Sequence, residues 1–522
     1  MITRILLNLQ RTVLRLFQFL ERLAGYAFRG FSNPFYSLGG LAFYFFYIIV
    51  GTGIYLFIFY EPSIKGSYDT VQYLTQEQWY LGGIMRSLHR YASDALVLTI
   101  VLHMFREFAL RRYRGVRWFA WVTGFPALFL IIPSGLIGYW LVWDTLGQFI
   151  AVRSTEWLDW LPIFSEPAAR NFLTNASISD LFFRLILIGH IALSIFLFVA
   201  LLVHVKNISR AMSSPPRDLA IGTLVFLLIL SLVEPAVSQA RADLGFVPAV
   251  INLDWFYLFL FPLMDLWSMG EVWTLVVVVT LLLVLLPWLP PLRNPPVAKV
   301  LLEKCSGCNL CVIDCPYEAI ILLPRSDGHP SYTREAVVVA DNCVGCGICT
   351  GACPFSRPPR ADEPLTTGID ISSRDIQHLY KASIQALAAL KAETKVLVYG
   401  CDHGADLNGL GPGVAAVSLP CTAALPASFI GYMLRHGADG IFLTGCRMGD
   451  CYNRLGNVWI EQRLALDSKH RPHLPRWVPR ERIGHFWAGP GDKQHLRAKI
   501  DLFRKGLHAC SETGKRYEDS VS

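Results

Sequence analysis

The sequence predicts a membrane-embedded all-α bundle of about six transmembrane helices, followed by an α+β domain and a small α/β domain with a doubly wound sheet. Three observations predict this. Apolar runs long enough to cross a bilayer recur up to about residue 289. All 13 cysteines lie at or beyond Cys305, eight of them in two matched runs. Beyond residue 390, three short apolar runs each end at a cysteine. Across 522 residues, 53% are hydrophobic and only 17% charged, and the mean hydropathy is +0.40. That composition describes a membrane protein with soluble parts attached. The net charge of +7 is modest, points to no nucleic-acid partner, and suits basic loops facing the cytoplasm.

Residues 1–30 come first, with Arg4, Arg11, Arg15 and Arg22 spread through them. They predict an amphipathic interfacial helix rather than a cleavable signal peptide. Spanning segments follow at about 38–60, 82–108, 118–141, 182–205, 219–236 and 271–289, and the apolar stretch 255–267 predicts a re-entrant or interfacial piece. The second span carries His89 and His103, and the fourth carries His190 and His204. Each pair is 14 residues apart, about four helical turns, which puts both rings on one face roughly 21 Å apart. A lone intramembrane histidine reads equally as a proton relay or a satisfied polar group. Four in two matched pairs instead suit two stacked haems, each taking one imidazole from each helix.

Basic residues set the orientation. Arg111, Arg112, Arg114 and Arg117 follow the second span, Lys206, Arg210 and Arg217 the fourth, and Arg293 and Lys299 the last. The alternate loops carry Glu61, Asp69, Glu77, Asp144, Glu156, Asp159 and Glu166. Both ends of the membrane part are therefore expected on the cytoplasmic side. His89 and His190 then hold the outer haem, and His103 and His204 the inner one.

The proline-rich stretch 286–299 marks the boundary to the soluble parts. Two runs of the form Cys-x2-Cys-x2-Cys-x3-Cys-Pro follow, at Cys305 to Cys315 and at Cys343 to Cys353. This is the two-cluster bacterial ferredoxin pattern, in which the fourth cysteine of each run ligates the other cluster. One [4Fe-4S] cluster takes Cys305, Cys308, Cys311 and Cys353, and the other takes Cys343, Cys346, Cys349 and Cys315. A zinc site is the alternative. Such clusters imply a reducing compartment. A polar linker lies near 356–372. After it, the stretches 395–400, 413–419 and 440–445 read as buried strands, with a helical pattern at 424–436. The strands end at Cys401, Cys421 and Cys446, with Cys451 five residues on. Strand C-termini of a parallel sheet gather on one edge, so these four thiols suit a [2Fe-2S] cluster, with zinc or a disulfide switch as alternatives. Cys510 has no partner by spacing.

Residues 30–290 resemble the cytochrome b of bc- and bf-type complexes. The resemblance rests on LGGLAFYFFYIIVGTG (38–53), the two histidine helices, WVTG (121–124), GLIGYWLVWD (135–144) and LDWFYLF (253–259). It implies two haems b, with Gly39, Gly53, Gly124 and Gly138 against the haem faces and Arg86 and Arg106 near haem propionates. It also implies a homodimer and a quinone site. Asp254 and Trp255 align with part of the family's Pro-Glu-Trp-Tyr and are the candidates for that site. The sequence departs from the family in three places. Ser37 replaces the cysteine that holds an extra haem in bf-type proteins. Leu253-Asp254-Trp255-Phe256 replaces Pro-Glu-Trp-Tyr, and Leu141-Val142-Trp143 replaces Leu-Pro-Trp. The last two weaken the case for quinol bifurcation.

The C-terminal stretch, about 394–510, resembles the small iron–sulfur (delta) subunit of methyl-viologen-reducing hydrogenase. It does so through CDHGADLNG (401–409), LPC (419–421) and GCRMGDCYN (445–453). That resemblance implies docking onto a flavoprotein such as a heterodisulfide-reductase-like subunit. The expected domains are the N-terminal helix at 1–30, a cytochrome b-like domain at 31–292, a two-cluster ferredoxin domain at 297–360, and a delta-subunit-like domain at 390–510. The expected protein is a multi-pass subunit of a bacterial or archaeal cytoplasmic membrane, with its N-terminus and iron–sulfur domains cytoplasmic. It links the quinone pool to a cytoplasmic oxidoreductase. The competing readings are a bc-like quinol oxidase running a Q-cycle, and a docking or relay subunit delivering hydrogenase or formate electrons to quinone.

Overall fold

A computed structural model describes residues 2–512, save 29–31, 115–116, 164–165, 173, 175–176, 207–212, 247–249, 254–256, 290–295, 360–364, 373, 449, 465–473 and 475–476. Asp254 and Trp255, the quinone-site candidates, lie outside the described residues, as do the middle of the proline-rich boundary (290–295) and the Cys510 side chain. The chain forms two compact units, residues 1–289 and 290–522.

The first unit is helical. Its helices are α1 (Ile2–Ala27), α2 (Leu38–Phe59), α3 (Gly66–Gln76), α4 (Ile84–Ala109), α5 (Trp118–Val142), α6 (Thr145–Asp159), α7 (Asp180–Lys206), α8 (Arg217–Val233), α9 (Leu260–Leu266) and α10 (Met269–Leu285). Among the described residues, four are long and apolar enough to cross a membrane: α2, α5, α7 and α10 with its 3-10 extension to Trp288. The expected spans 82–108 and 219–236 correspond to α4 and α8. Charged Arg86, Arg90, Asp94 and Arg106 make α4 less apolar, and α8 has only 17 residues. α4 is buried within the unit along Leu88, Ala92 and Leu96, which is where a charge-bearing helix belongs. By contrast, α7 exposes Leu185, Ile188, Ile195, Phe196, Val199 and Leu202, as a lipid-facing surface does.

Several stretches read as loops contain helices. α3 and a π-helical turn at Trp79–Gly83 precede α4. α6 follows α5 because Asp144 caps it, its Oδ1 accepting from Gly147 N at 2.8 Å. The other Asp144 oxygen accepts from Gln239 N at 2.8 Å, and Arg241 pairs with Asp69. The loops at 61–78, 144–180 and 237–254 thus meet at one end of the bundle. At the opposite end, α1 docks on α4. Gln10 donates to the Tyr113 hydroxyl at 2.7 Å, and buried Glu21 accepts from Arg106 Nε at 3.0 Å. Trp121 near the start of α5 donates to Leu283 O of α10 at 2.7 Å. α1 also presents Ile5, Leu9, Leu16, Phe19 and Leu23 outward, the apolar side of an interfacial helix.

The second unit opens with β1 (Ala298–Val300), α11 (Leu310–Asp314), β2 (Ile320–Pro324), β3 (Arg334–Val338), α12 (Ile348–Ala352) and β4 (Ile369–Ile371). β1 pairs antiparallel with β4, and β2 with β3. The two cysteine runs fold alike. Gly307 and Gly345 are left-handed at φ 65° and 67°, and Asn309 and Gly347 open the short helices at 69° and 74°. Then come α13 (Ile376–Ala388), β5 (Val396–Cys401), β6 (Val414–Leu419), α14 (Ala427–Arg435), β7 (Gly440–Gly445), α15 (Gly456–Leu464), β8 (Ile483–Trp487) and α16 (Lys493–Glu512).

Strands β5 to β8 form one parallel sheet in the order β6-β5-β7-β8. Alternate residues serve opposite faces. Leu397, Tyr399, Ile441 and Leu443 pack with Phe429 and Trp459, whereas Val396, Val398 and Phe442 pack with Leu496 and Ile500. β8 goes beyond the three expected strands. α13 lies before the expected start at residue 390 but packs on β5 and β6.

Candidate haem and iron–sulfur sites

In the helical unit each expected glycine meets one expected histidine. α2 packs on α4 and α5 on α7. A Cβ built at Gly53 would lie 3.1 Å from His89 Cε1, and one at Gly39 would lie 3.6 Å from His103 Cε1. At Gly138 and Gly124 the distances to Cε1 of His190 and His204 are both 3.5 Å. The 14-residue period is therefore matched level by level on four helices. His89 and His190 face each other with ring centroids 6.3 Å apart. Two metal–nitrogen bonds of about 2 Å plus two ring radii fill such a gap. His190 Nδ1 lies 2.8 Å from Ser134 O, His89 Nδ1 lies 3.1 Å from Ile49 O, and Thr123 Oγ1 lies 3.3 Å from His204 Nδ1. With Nδ1 engaged by protein groups, Nε2 is the nitrogen left for a metal.

Around His89 and His190 lies a cavity of about 1310 Å³, lined among others by Gly53, Gly138, Arg86 and Tyr139. It exceeds the ~300–1,000 Å³ of ordinary small-molecule pockets. Arg86, the expected propionate partner, lines it and donates to Ser238 at 2.8 Å. Arg106 forms the buried ion pair with Glu21 described above, an acidic partner that the sequence reading did not foresee. The Thr-Gly repeat was the available signal for the imidazole-orienting threonines, since Thr52 precedes Gly53 and Thr123 precedes Gly124. Thr52 Oγ1 lies 3.1 Å from His89 Nδ1.

The second unit brings cysteines of the two runs near one another. Cys305, Cys308 and Cys311 line one cavity together with Cys353 of the other run, the crossing that the ferredoxin pattern requires. Cys349 interacts electrostatically with Cys346, Cys315 and Cys343 of the second set and with Cys311 of the first. Burial pushes the Cys346 and Cys311 thiols up to about 12, and ligation to a metal is what deprotonates such groups. Backbone N–H groups already point at sulfur: Ala319 N at Cys315 Sγ (3.3 Å) and Ala298 N at Cys343 Sγ (3.4 Å). Such hydrogen bonds tune cluster potentials.

At the sheet edge, Cys401 ends β5 and Cys446 follows β7, with their sulfurs 3.5 Å apart. A Cβ at Gly456 would lie 2.2 Å from Cys421 Sγ and 3.5 Å from Cys451 Sγ, so glycine there makes room for both. His403 N and Tyr452 N donate to Cys401 and Cys446 at 3.3 and 3.4 Å. All twelve described cysteines are free thiols. Among the described residues, no three Cys, His, Asp or Glu side chains converge as for a single metal ion.

Three segments match known families. Residues 25–212 match the family model described as cytochrome b/b6/petB. Residues 304–356 match the 4Fe-4S dicluster domain, and residues 398–510 the delta subunit of methyl-viologen-reducing hydrogenase. The chain is thus a membrane protein whose cytochrome b segment implies haem b and whose dicluster segment implies iron–sulfur clusters. A solved chain titled "Hyperthermophilic respiratory Complex III" is similar over 49% of this chain and 75% of its own length, at 21% identity and a TM-score of 0.41.

Proposed function

We propose that the protein is a membrane electron-transfer subunit. It connects quinone to a cytoplasmic redox partner through two b haems, two [4Fe-4S] clusters and one [2Fe-2S] cluster. The observation that carries this reading is the level-by-level match of Gly39, Gly53, Gly124 and Gly138 with His103, His89, His204 and His190. A metal-free bundle has no need of four such pairings. His89 and His190 hold the outer haem, and His103 and His204 the inner one. Cys305, Cys308, Cys311 and Cys353 hold the first [4Fe-4S] cluster, and Cys343, Cys346, Cys349 and Cys315 the second. Cys401, Cys421, Cys446 and Cys451 hold the [2Fe-2S] cluster.

The haems and clusters pass single electrons, and quinone and a flavin are the two-electron stations at the ends. The chain's own residues set spacing and potential through ligation, burial and N–H to sulfur bonds. The delta-subunit segment favours a flavoprotein of heterodisulfide-reductase type as the soluble partner, on the cytoplasmic side of a prokaryotic membrane.

The test is anaerobic purification in mild detergent, with every co-purifying subunit identified and haem, iron and flavin assayed. A co-purifying flavoprotein without a Rieske protein is the expected result. A Rieske protein or c-type cytochrome in its place would overturn the flavin link in favour of a Q-cycle enzyme.

A further inference from the structure

The dicluster and delta-subunit segments meet around one buried guanidinium. Arg463 of α15 is fully buried, as is Asp314, with side-chain exposures of 0% and 1%. Arg463 Nη2 donates to Asp314 Oδ2 at 2.9 Å and to Ile348 O at 3.3 Å. Its Nη1 donates to Ala423 O. These acceptors come from three separate stretches of chain. Asp314 adjoins Cys315, Ile348 adjoins Cys349, and Ala423 follows Cys421 by two residues. The indole of Trp459, one helical turn earlier, donates to Asp314 O at 2.9 Å. On the same seam, a Cβ at Gly351 would lie 2.1 Å from Ala423 O, so only glycine lets α12 come this close. Cys346 packs against the buried cluster that contains Cys421.

A fully buried ion pair is weak evidence of stabilisation, because desolvating both charges offsets their attraction. Its better-attested use is to fix a single arrangement. The planar fork of arginine suits that role, since it reaches several acceptors in fixed directions. Building on the cluster assignments proposed above, we infer that Arg463 is a positioning residue. It fixes the gap across which electrons pass between the second [4Fe-4S] cluster and the cluster of Cys401, Cys421, Cys446 and Cys451. It acts through the Asp314 carboxylate and the backbone of Ile348 and Ala423, beside the proposed cluster ligands.

The experiment uses the full chain, purified anaerobically and reduced with dithionite, and reads iron content and the magnetic splitting between cluster signals. The principal variant replaces both partners, Asp314→Leu with Arg463→Met, so that no unpaired charge is left buried. Arg463→Lys is the second variant, retaining the charge without the fork. The expected result is an interaction splitting in the wild type, its loss in the double variant at wild-type iron content, and incomplete recovery in Arg463→Lys. Wild-type splitting in the double variant would overturn the inference while leaving the cluster assignments standing. Full splitting in Arg463→Lys would also overturn it, because charge alone would then suffice. A wild-type protein without a signal for the third cluster would instead overturn the assignments, and the inference with them.

Discussion

The closest of the four glycine–histidine contacts gives the sharpest prediction. At Gly53 an added Cβ would lie 3.1 Å from His89 Cε1, so the ring must yield by a few tenths of an ångström. At Gly39 the corresponding distance is 3.6 Å, an ordinary contact, and at Gly51 nothing lies within 4 Å. Gly53→Ala therefore overpacks the outer site, Gly39→Ala burdens the inner site less, and Gly51→Ala is the control on the same helix. Overpacking of this kind costs about 1–3 kcal/mol, which corresponds to haem retention weaker by about 5- to 150-fold. Haem content per chain and a redox titration of the b haems read the effect. Gly53→Ala should lose or shift one haem, and Gly51→Ala should match the wild type. Equal behaviour of the two variants, with both haems kept at unchanged potentials, would refute the placement of Gly53 against the outer site.

Three further outcomes are expected. His103→Ala should abolish the inner haem and keep the outer one, leaving one b-type signal by pyridine haemochrome and optical titration. Cys353→Ser should remove the cluster of Cys305, Cys308 and Cys311 rather than that of its own run, and iron analysis with electron paramagnetic resonance distinguishes the two. Glu21→Ala should leave Arg106 buried without its acid, at a cost of about 3–5 kcal/mol, seen as earlier thermal unfolding and faster proteolysis between α1 and α2.

Much of the site was legible because its spacing is set by the cofactors. Histidines and glycines repeating at 14 residues, and cysteines at fixed intervals, carry geometry in one dimension. Partners distant in sequence were not legible. Glu21 finds Arg106 across 85 positions, and Asp314 finds Arg463 across 149; no local pattern announces either. The helices α3 and α6 lie in stretches less hydrophobic than the spans around them, so they read as loops. β8 was missed because Ile483–Trp487 is short and includes exposed His485. The ferredoxin and delta-subunit segments read as separate domains, yet they form one unit through contacts such as Tyr317 to Asn453 at 3.0 Å.

The central claim is that haems and clusters of one chain form a single path across and out of the membrane. It is tested most directly in proteoliposomes supplied with quinol, freeze-quenched before and after a membrane potential is imposed, with haem and cluster signals read together. Each 100 mV is worth about 2.3 kcal/mol per charge, or about 50-fold in the redox ratio if the haems span the whole field. Cluster signals should grow as the haem ratio shifts, and both should revert on adding uncoupler. Haems that respond while the clusters do not would contradict it.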